Sequence, residues 1–140
     1  MAHSSAIYMG NTKSSFKKVD NWAADPATFV AGLCGHLKSD GTVSLASADG
    51  SKIGISLGRS LSSTKRTAFV REGEDVPILL TNGFTPTVGA QVQISTTTGK
   101  AVSSGTAVNA FYKTSTLVAY DEDGVVIDDG AALIDFPGGL

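Results

Sequence analysis

The stretch KIGISL, residues 52–57, is the clearest indication of the fold in this chain. Ile53, Ile55 and Leu57 alternate with small residues, and this period of two is typical of a strand with one face in a core. An Asp-Gly pair precedes the stretch and Gly58 follows it, and these residues tolerate the positive φ of tight turns. The pattern predicts a half-buried strand between two turns.

Segments of the same kind recur along the chain, separated by Gly, Asn-Gly or Asp-Gly turn signals. No window of a dozen residues carries a helical period with caps. Short strands spaced roughly 8–12 residues apart are typical of sandwiches and barrels. We therefore predict an all-β fold, an antiparallel β-sandwich or barrel that is jelly-roll-like. The predicted strands are TFVAGLCGHL (28–37), TVSLA (42–46), KIGISL (52–57), TAFVR (67–71), DVPILL (75–80), AQVQIS (90–95), AVNAFY (107–112), TLVAY (116–120), GVVI (124–127) and AALIDF (131–136).

One of these segments, DVPILL, contains Pro77. Proline has no backbone amide to donate to a ladder, so in sheets it is confined to edges, strand starts and bulges. We expect this strand to lie at an edge of the sheet or to begin at Pro77.

The domain organisation follows from length and from a change in composition. With 140 residues the chain is long enough for one domain with a substantial core. Residues 1–27 are polar and irregular, with isolated large apolar residues, and alone they bury too little to offset their ordering entropy. We predict an extended N-terminal arm over 1–27 and a single β domain over 28–140.

Four side chains of this arm are candidate partner contacts. An arm that orders on a partner uses its large apolar residues as anchors. The alternative is that the segment packs on its own domain or frays, as chain termini do. The candidate contact residues are Ile7, Tyr8, Phe16 and Trp22.

The composition argues for a folded body without general affinity for nucleic acid. The chain is 41% hydrophobic and 17% charged, with a net charge of −2. The balance is uneven: residues 1–70 hold eight Lys/Arg and four acids, a net of +4, and residues 71–140 hold three bases and nine acids, a net of −6. This is either scattered solvated charge or a polar molecule whose opposite surfaces meet complementary neighbours in an assembly.

The compartment is indicated by cysteine usage and by the N-terminus. Cys34 is the only cysteine, so no internal disulfide is expected. The N-terminus lacks the apolar core of a signal peptide, and no run approaches the ~18 apolar residues of a membrane span. We expect a protein that is made and folded in a reducing cytoplasm and has no membrane partner.

The strongest candidates for chemistry are Cys34 and His36. Residues two apart in a strand share a face, so thiol and imidazole are expected on the same side. Nucleophilic catalysis also needs an orienting group for the base and an oxyanion site, and no further Cys or His completes a zinc shell, since His3 lies near the terminus. A buried cysteine beside an ordinary histidine is the simpler interpretation. We predict no catalytic residue, no cofactor and no metal.

Two charged segments have functional and structural interpretations. DEDGVVIDDG (121–130) has the acids of a calcium loop, but apolar residues occupy its middle, and Asp-Gly hairpin turns around a short strand explain it better. LGRSLSSTKRTAFVREG (57–73) has four basic residues, but neither the spacing of a phosphate loop nor the aromatics of a single-strand binder. We interpret it as a solvated loop.

From about residue 30 onward, the order of features resembles the small capsid cement, or decoration, proteins of tailed bacteriophages. A Gly-bounded strand is followed by a Gly-x-x-Val-x-Ile/Val strand, by a Gly-x-x-Val hairpin with a polar turn, and by a last apolar strand. Gly73, Val76 and Ile78 fill the second element, Gly89 and Val92 the third, and Leu133, Ile134 and Phe136 the last. The resemblance covers about three-quarters of the chain. It is carried by ADGSKIGISLG (48–58), VREGEDVPILL (70–80), PTVGAQVQISTTTGKAV (86–102), NAFYKTSTLVAYDEDG (109–124) and GAALIDF (130–136).

The resemblance implies a structural protein of the virion that binds the outer surface of an icosahedral capsid. Such a protein clamps subunits of the major capsid protein together, in many copies, against the pressure of packaged DNA. We therefore expect a non-enzymatic bacteriophage capsid protein that self-associates as a homodimer or homotrimer and is synthesised in the host cytoplasm.

Two other function classes remain open from the sequence. A carbohydrate-binding or adhesin-type β module would also be all-β, although one Trp and three Tyr supply little aromatic material for stacking on sugars. An enzyme using Cys34 and His36 is the second alternative, and other tail or baseplate parts complete the range, because a fold alone does not fix a function.

Overall fold

The protein is antiparallel all-β, as predicted. The computed structural model describes residue 7 and residues 14–45, 52–59, 65–121 and 123–137. In these ranges the chain forms strands and no helix, and the sheet curls into a half-barrel. The strands are β1 (Ser15–Trp22), β2 (Cys34–Leu37), β3 (Val43–Ser44), β4 (Lys52–Arg59), β5 (Thr67–Leu79), β6 (Gln91–Ile94), β7 (Thr106–Tyr112) and β8 (Ala131–Phe136).

The strands form one sheet with the order β3-β2-β4-β5-β8-β7-β6. β1 lies off this path and pairs with β5. All seven ladders between named strands are antiparallel. The 13-residue β5 is therefore the element on which β1, β4 and β8 all assemble.

The two segments predicted as TAFVR and DVPILL are one continuous strand, β5. The polar residues between them have the appearance of a turn in the sequence, yet the chain passes through them with a bulge between Gly73 and Val76 on the β8 side. Asp75 has a φ of 53° at this point, a conformation that aspartate adopts more readily than most side chains. A bulge absorbs the extra residue without ending the strand.

Pro77 was expected at an edge or at the start of its strand, and this was wrong. It lies inside β5, paired with Leu133 of β8. Leu80 donates its amide to Gly130 and Leu79 donates to Gly32 on the opposite side, so successive amides alternate between the two edges of β5. The amide that Pro77 lacks would point, like that of Leu79, away from β8, and the β8 ladder loses nothing.

Two hydrophobic cores lie on the two faces of this sheet. Alternate residues of a strand face opposite sides, so β5 contributes Val76 and Ile78 to the first core and Phe69 and Leu79 to the second. The first core is Cys34, Ile53, Ile55, Val70, Val76, Ile78, Leu80, Val92, Ile94, Ala101, Val108, Ala110, Tyr112, Ala132, Ile134 and Phe136. The second is Trp22, Ala24, Phe29, Leu33, Phe69, Leu79, Ala119, Ile127 and Ala131.

Four predicted strands are shorter than expected or are not regular strands. In the predicted strand 42–46, Val43–Ser44 form β3. Within 28–37 only β2 pairs in a ladder, and the residues before it form turns. The predicted strands 116–120 and 124–127 form a hairpin held by isolated bridges, Leu117 with Ala131 and Tyr120 with Val126. Both irregular segments cover the second core, because they contribute Phe29, Leu33, Ala119 and Ile127 to it.

The predicted arm, 1–27, includes a strand of the sheet. Residues 15–22 form β1 and pair with β5 from Ser15 opposite Glu74 to Trp22 opposite Thr67. The sequence of β1 has no period-two apolar pattern because most of its side chains are exposed, and its place in the sheet depends on the long-range pairing with β5. Apart from residue 7, the part of the arm before Ser14 lies outside the described residues.

Candidate binding surfaces

The four predicted contact residues lie in different environments. Trp22 is buried in the second core, with its indole stacked on Phe69 at a centroid distance of 4.7 Å. Ile7 is partly buried against the same core, and Tyr8 lies outside the described residues. Phe16 remains 39% exposed on β1, so it is the described member of the set that offers a large apolar surface to a partner.

Phe16 belongs to an exposed strip on β1, which we call the β1 strip: Phe16, Lys17, Lys18 and Val19. Val19 is 42% exposed. The ladder to β5 is irregular on both sides of Lys18, and bulges and edge lysines discourage the addition of another strand. The strip is therefore suited to contact through its side chains rather than through its backbone edge.

A recess of about 480 Å³ adjoins the β1 strip where β1, β5, β7 and β8 meet. Two aromatic rings contribute to its walls: Phe136 is buried in the first core, and Phe111 is 41% exposed. Lys113 lies on the same part of the sheet, with its Nζ 3.2 Å from Asp75 and 3.9 Å from Asp135, and these carboxylates raise the pKa of its ammonium group. The recess is lined by Lys17, Glu72, Gly73, Glu74, Phe111, Asp135, Phe136 and Pro137.

Among the described residues, four adjacent charges at the β1 strip and the recess, Lys17, Lys18, Glu72 and Glu74, form no ion pair within 4 Å, whereas Asp135 in the recess is paired with Lys113. Lys18 lies opposite Glu72 in the ladder between β1 and β5, and Lys17 and Glu74 line the same recess. The ion pairs within 4 Å that the described residues form involve none of these four side chains. By contrast, Asp20 on the same strand is paired with Arg71 at 2.9 Å.

A second exposed surface is the hairpin over residues 117–127. Ala119 and Ile127 anchor it in the second core. Four large apolar side chains between or next to these anchors are 41–65% exposed. Tyr120 and Val126 are directly bridged, so their side chains share one face. We call this group the hairpin tip: Val118, Tyr120, Val125 and Val126.

The buried carboxylate of Asp121 holds the hairpin tip in shape. Its Oδ1 accepts hydrogen bonds from the amides of Asp123, at 2.9 Å, and Val125, at 3.0 Å. The backbone adds a bond from the Asp121 amide to the Val125 carbonyl, and Gly124 supplies the positive φ, 78°, that the turn requires. The tip is therefore a preformed apolar projection with Asp123 and Asp128 exposed beside it.

Sequence reasoning missed the hairpin tip as a surface. The apolar residues of TLVAY and GVVI were assigned to strands, and their exposure depends on which of them the distant second core accepts. The acidity of the segment gave no usable signal, because residues 114–140 contain six acids and no base but also hold the buried Ile127, Ile134 and Phe136.

Cys34 and His36 lie close together, but with protonation states opposite to those of a catalytic pair. Cys34 Sγ is 3.9 Å from His36 Nε2, and both residues are buried. Burial raises the pKa of the Cys34 thiol to about 12 and lowers that of the His36 imidazole. An activated thiolate needs the reverse shifts. The predicted burial of Cys34 is confirmed, whereas His36, expected to be ordinary, is itself buried and has a lowered pKa.

The basic segment 57–73 is partly occupied with internal contacts. Arg71 donates from Nε to the Ile53 carbonyl at 3.1 Å and lies 5.8 Å from the centre of the Trp22 ring. Arg66 donates to the Asn21 carbonyl. These two guanidinium groups tie β1 to β4 and β5, and residues 60–64 lie outside the described part of the chain.

The acidic segment 121–130 places no metal-binding group in the described ranges. No cluster of three His, Cys, Asp or Glu side chains that could hold a metal is found there. The Asp121 carboxylate is used by the hairpin turn, and Glu122 is not among the described residues.

No helix in the described ranges is long and apolar enough to cross a membrane.

No family model matches the chain, and neither a curated protein nor a solved structure is detectably similar to it. The function is therefore argued from the surfaces themselves.

Proposed function

We propose that this chain is a non-enzymatic structural protein that binds the outside of a bacteriophage capsid and stabilises it by clamping major capsid protein subunits. The observation that carries the proposal is the hairpin tip, four exposed apolar side chains on a turn fixed from inside by a buried carboxylate. The major capsid protein is the partner of this tip, and a second copy of the chain is the other partner.

The exposure of the hairpin tip favours a protein partner. Single exposed apolar residues are common on protein surfaces, but grouped ones mark interaction sites. Here the anchors Ala119 and Ile127 fix the hairpin, and Asp121 fixes its turn, so little conformational entropy is lost on binding. A rigid apolar projection with an acidic margin fits an apolar cleft bordered by Lys or Arg on the shell.

Clamping a shell requires surfaces that bind neighbouring subunits and requires no catalytic chemistry. A protein that binds only the assembled shell stabilises that state by mass action. When one oligomer contacts two or more shell subunits, the second contact forms at a high effective concentration. The identification of the shell as the partner is supported by the resemblance of residues 48–136 to capsid cement proteins.

The test uses purified shells that lack the protein, mixed with the purified chain. We expect saturable co-sedimentation at a stoichiometric copy number and a higher temperature of shell disruption. The double variant Val118→Ser/Val126→Ser should bind at least about tenfold more weakly, since two buried apolar contacts are worth more than 1.4 kcal/mol together.

Val88→Ser is the matched control, because Val88 is 61% exposed and lies outside the hairpin. It should bind as the wild type does. If all three proteins bind equally, the tip is not the shell contact. If no shell binds any of them while a glycan raises the melting temperature, the clamp proposal fails in favour of a carbohydrate-binding module.

A further inference from the structure

We propose that the β1 strip and the recess beside it form a self-complementary interface through which two copies of this chain pair about a two-fold axis. The proposal deepens the self-association that the proposed function includes. The occupant of this surface is a second copy of the chain.

Charges of opposite sign lie side by side at the recess. Lys17 lines it together with Glu72, Glu74 and Asp135, and Lys18 lies opposite Glu72 in the ladder between β1 and β5. A two-fold axis between the two regions places the strip of each copy opposite the recess of the other. Each lysine then faces carboxylates of its partner, and symmetry makes every contact occur twice.

Four of these charged side chains form no ion pair within the described part of one copy. Lys17, Lys18, Glu72 and Glu74 form none of the ion pairs found within 4 Å in the described ranges. Other charged groups of the same strands are paired, Asp20 with Arg71 and Asp75 with Lys113. Asp135 is paired with Lys113 as well, and Glu74 helps to raise the pKa of Lys113, so Lys17, Lys18 and Glu72 are the charges of this surface left for a partner.

Exposed aromatic rings adjoin the recess. Phe111 lines it and is 41% exposed, and Phe16, 39% exposed, lies opposite Gly73, which also lines it. Interfaces combine an apolar centre with a polar rim, and these rings and the charges beside the recess supply both.

The β1 strip of a second copy fits the recess better than the hairpin tip of a second copy would. The hairpin tip has Asp123 and Asp128 beside it, and its approach to the recess would bring carboxylates together. The irregular ladder on both sides of Lys18 also opposes pairing through a shared sheet. Pairing through side chains across a two-fold axis avoids both penalties.

The test is a charge-reversal exchange on the purified chain, with no shell present, so its failure leaves shell binding to be judged separately. The variant Lys17→Glu/Lys18→Glu makes strip and recess both acidic, and Glu72→Lys/Glu74→Lys makes both basic. We expect the wild type to sediment as a dimer of the 14.3 kDa chain. Each variant alone should dimerise at least about 100-fold more weakly, because like charges face each other.

An equimolar mixture of the two variants should restore the dimer, since an all-acidic surface then meets an all-basic one. The quadruple variant with all four reversals should dimerise like the wild type. Circular dichroism spectra that match the wild type show that the variants are folded, and Val88→Ser is the neutral surface control.

The proposal is overturned if the wild-type chain is monomeric at high micromolar concentration, or if either variant dimerises normally. It is also overturned if the mixture stays monomeric. Loss of shell binding by both reversed variants of a monomeric protein would assign this surface to the shell instead.

Discussion

The indole of Trp22 stacks on the ring of Phe69, with centroids 4.7 Å apart and planes inclined by 27°. Phe29 meets the other side of this group, edge-on to Phe69 at 5.3 Å. Trp22 ends β1, and Phe69 lies in β5, so this stack fastens the N-terminal strand to the body of the protein. Phe16, six residues earlier on the same strand, is largely outside this packing.

Substitution of Trp22 should therefore lower the stability of the fold, whereas substitution of Phe16 should weaken dimerisation. Trp22→Ala should lower the free energy of unfolding by about 3–5 kcal/mol, as truncation of a buried Trp does. Phe16→Ala should change it by less than about 0.5 kcal/mol, yet weaken dimerisation. Urea denaturation and sedimentation velocity measure the two effects. Equal stability losses for both variants would contradict the separation of core from contact residue.

The sequence alone could not separate these two residues. Both are isolated aromatics in a polar stretch, and only the long-range ladder from β1 to β5 determines which ring reaches the core. By contrast, Ile53 and Ile55 of β4 and Ile134 of β8 were predictable as strand residues, because local alternation is enough to mark a half-buried strand.

The difference between local sequence pattern and long-range strand pairing also explains the errors in the element boundaries. Residues 72–75 are polar and contain glycine, so they have the local signals of a turn, but β8 and β1 hold them in a bulged strand. The segment 117–127 has the local signals of strands, but its bridges are isolated and its exposed face has no partner strand in the described ranges. Turn and strand signals are local, whereas ladder continuity is decided by distant neighbours.

Asp121 should be required for the shape of the hairpin tip. Asp121→Ala removes the acceptor of two backbone amides, and we expect a loss of about 1–3 kcal/mol in unfolding free energy. Faster amide exchange at residues 123 and 125, followed by mass spectrometry or NMR, should accompany it. Asp121→Asn keeps the oxygen acceptor and should retain most of the protection, and Asp123→Ala is the exposed control. Unchanged exchange in Asp121→Ala would show that the turn does not need the carboxylate.

Cys34 should resist thiol reagents in the folded protein. Its side chain is fully buried, and desolvation raises its pKa to about 12, so the reactive thiolate is scarce and inaccessible. Labelling with iodoacetamide at pH 8 should be slow in buffer and should accelerate through the urea unfolding transition. Rapid labelling of the native protein, at the rate of a free thiol peptide, would contradict the buried assignment and would reopen a nucleophilic role.

The stability of the protein should fall on mild acidification because of His36. Burial lowers the pKa of its imidazole below the ordinary 6.5, so the unfolded state binds the proton first as the pH falls through 6.5. The stabilisation from neutral His36 is therefore complete above pH 6.5 and is lost below it, with a slope of at most about 1.4 kcal/mol per pH unit. Urea denaturation of the wild type and of His36→Gln at pH 7.5, 6.5, 5.5 and 5.0 measures this contribution. His36→Gln removes the titrating group and should show the flatter curve, whereas parallel curves would mean that His36 is protonated as easily in the fold as in the unfolded chain.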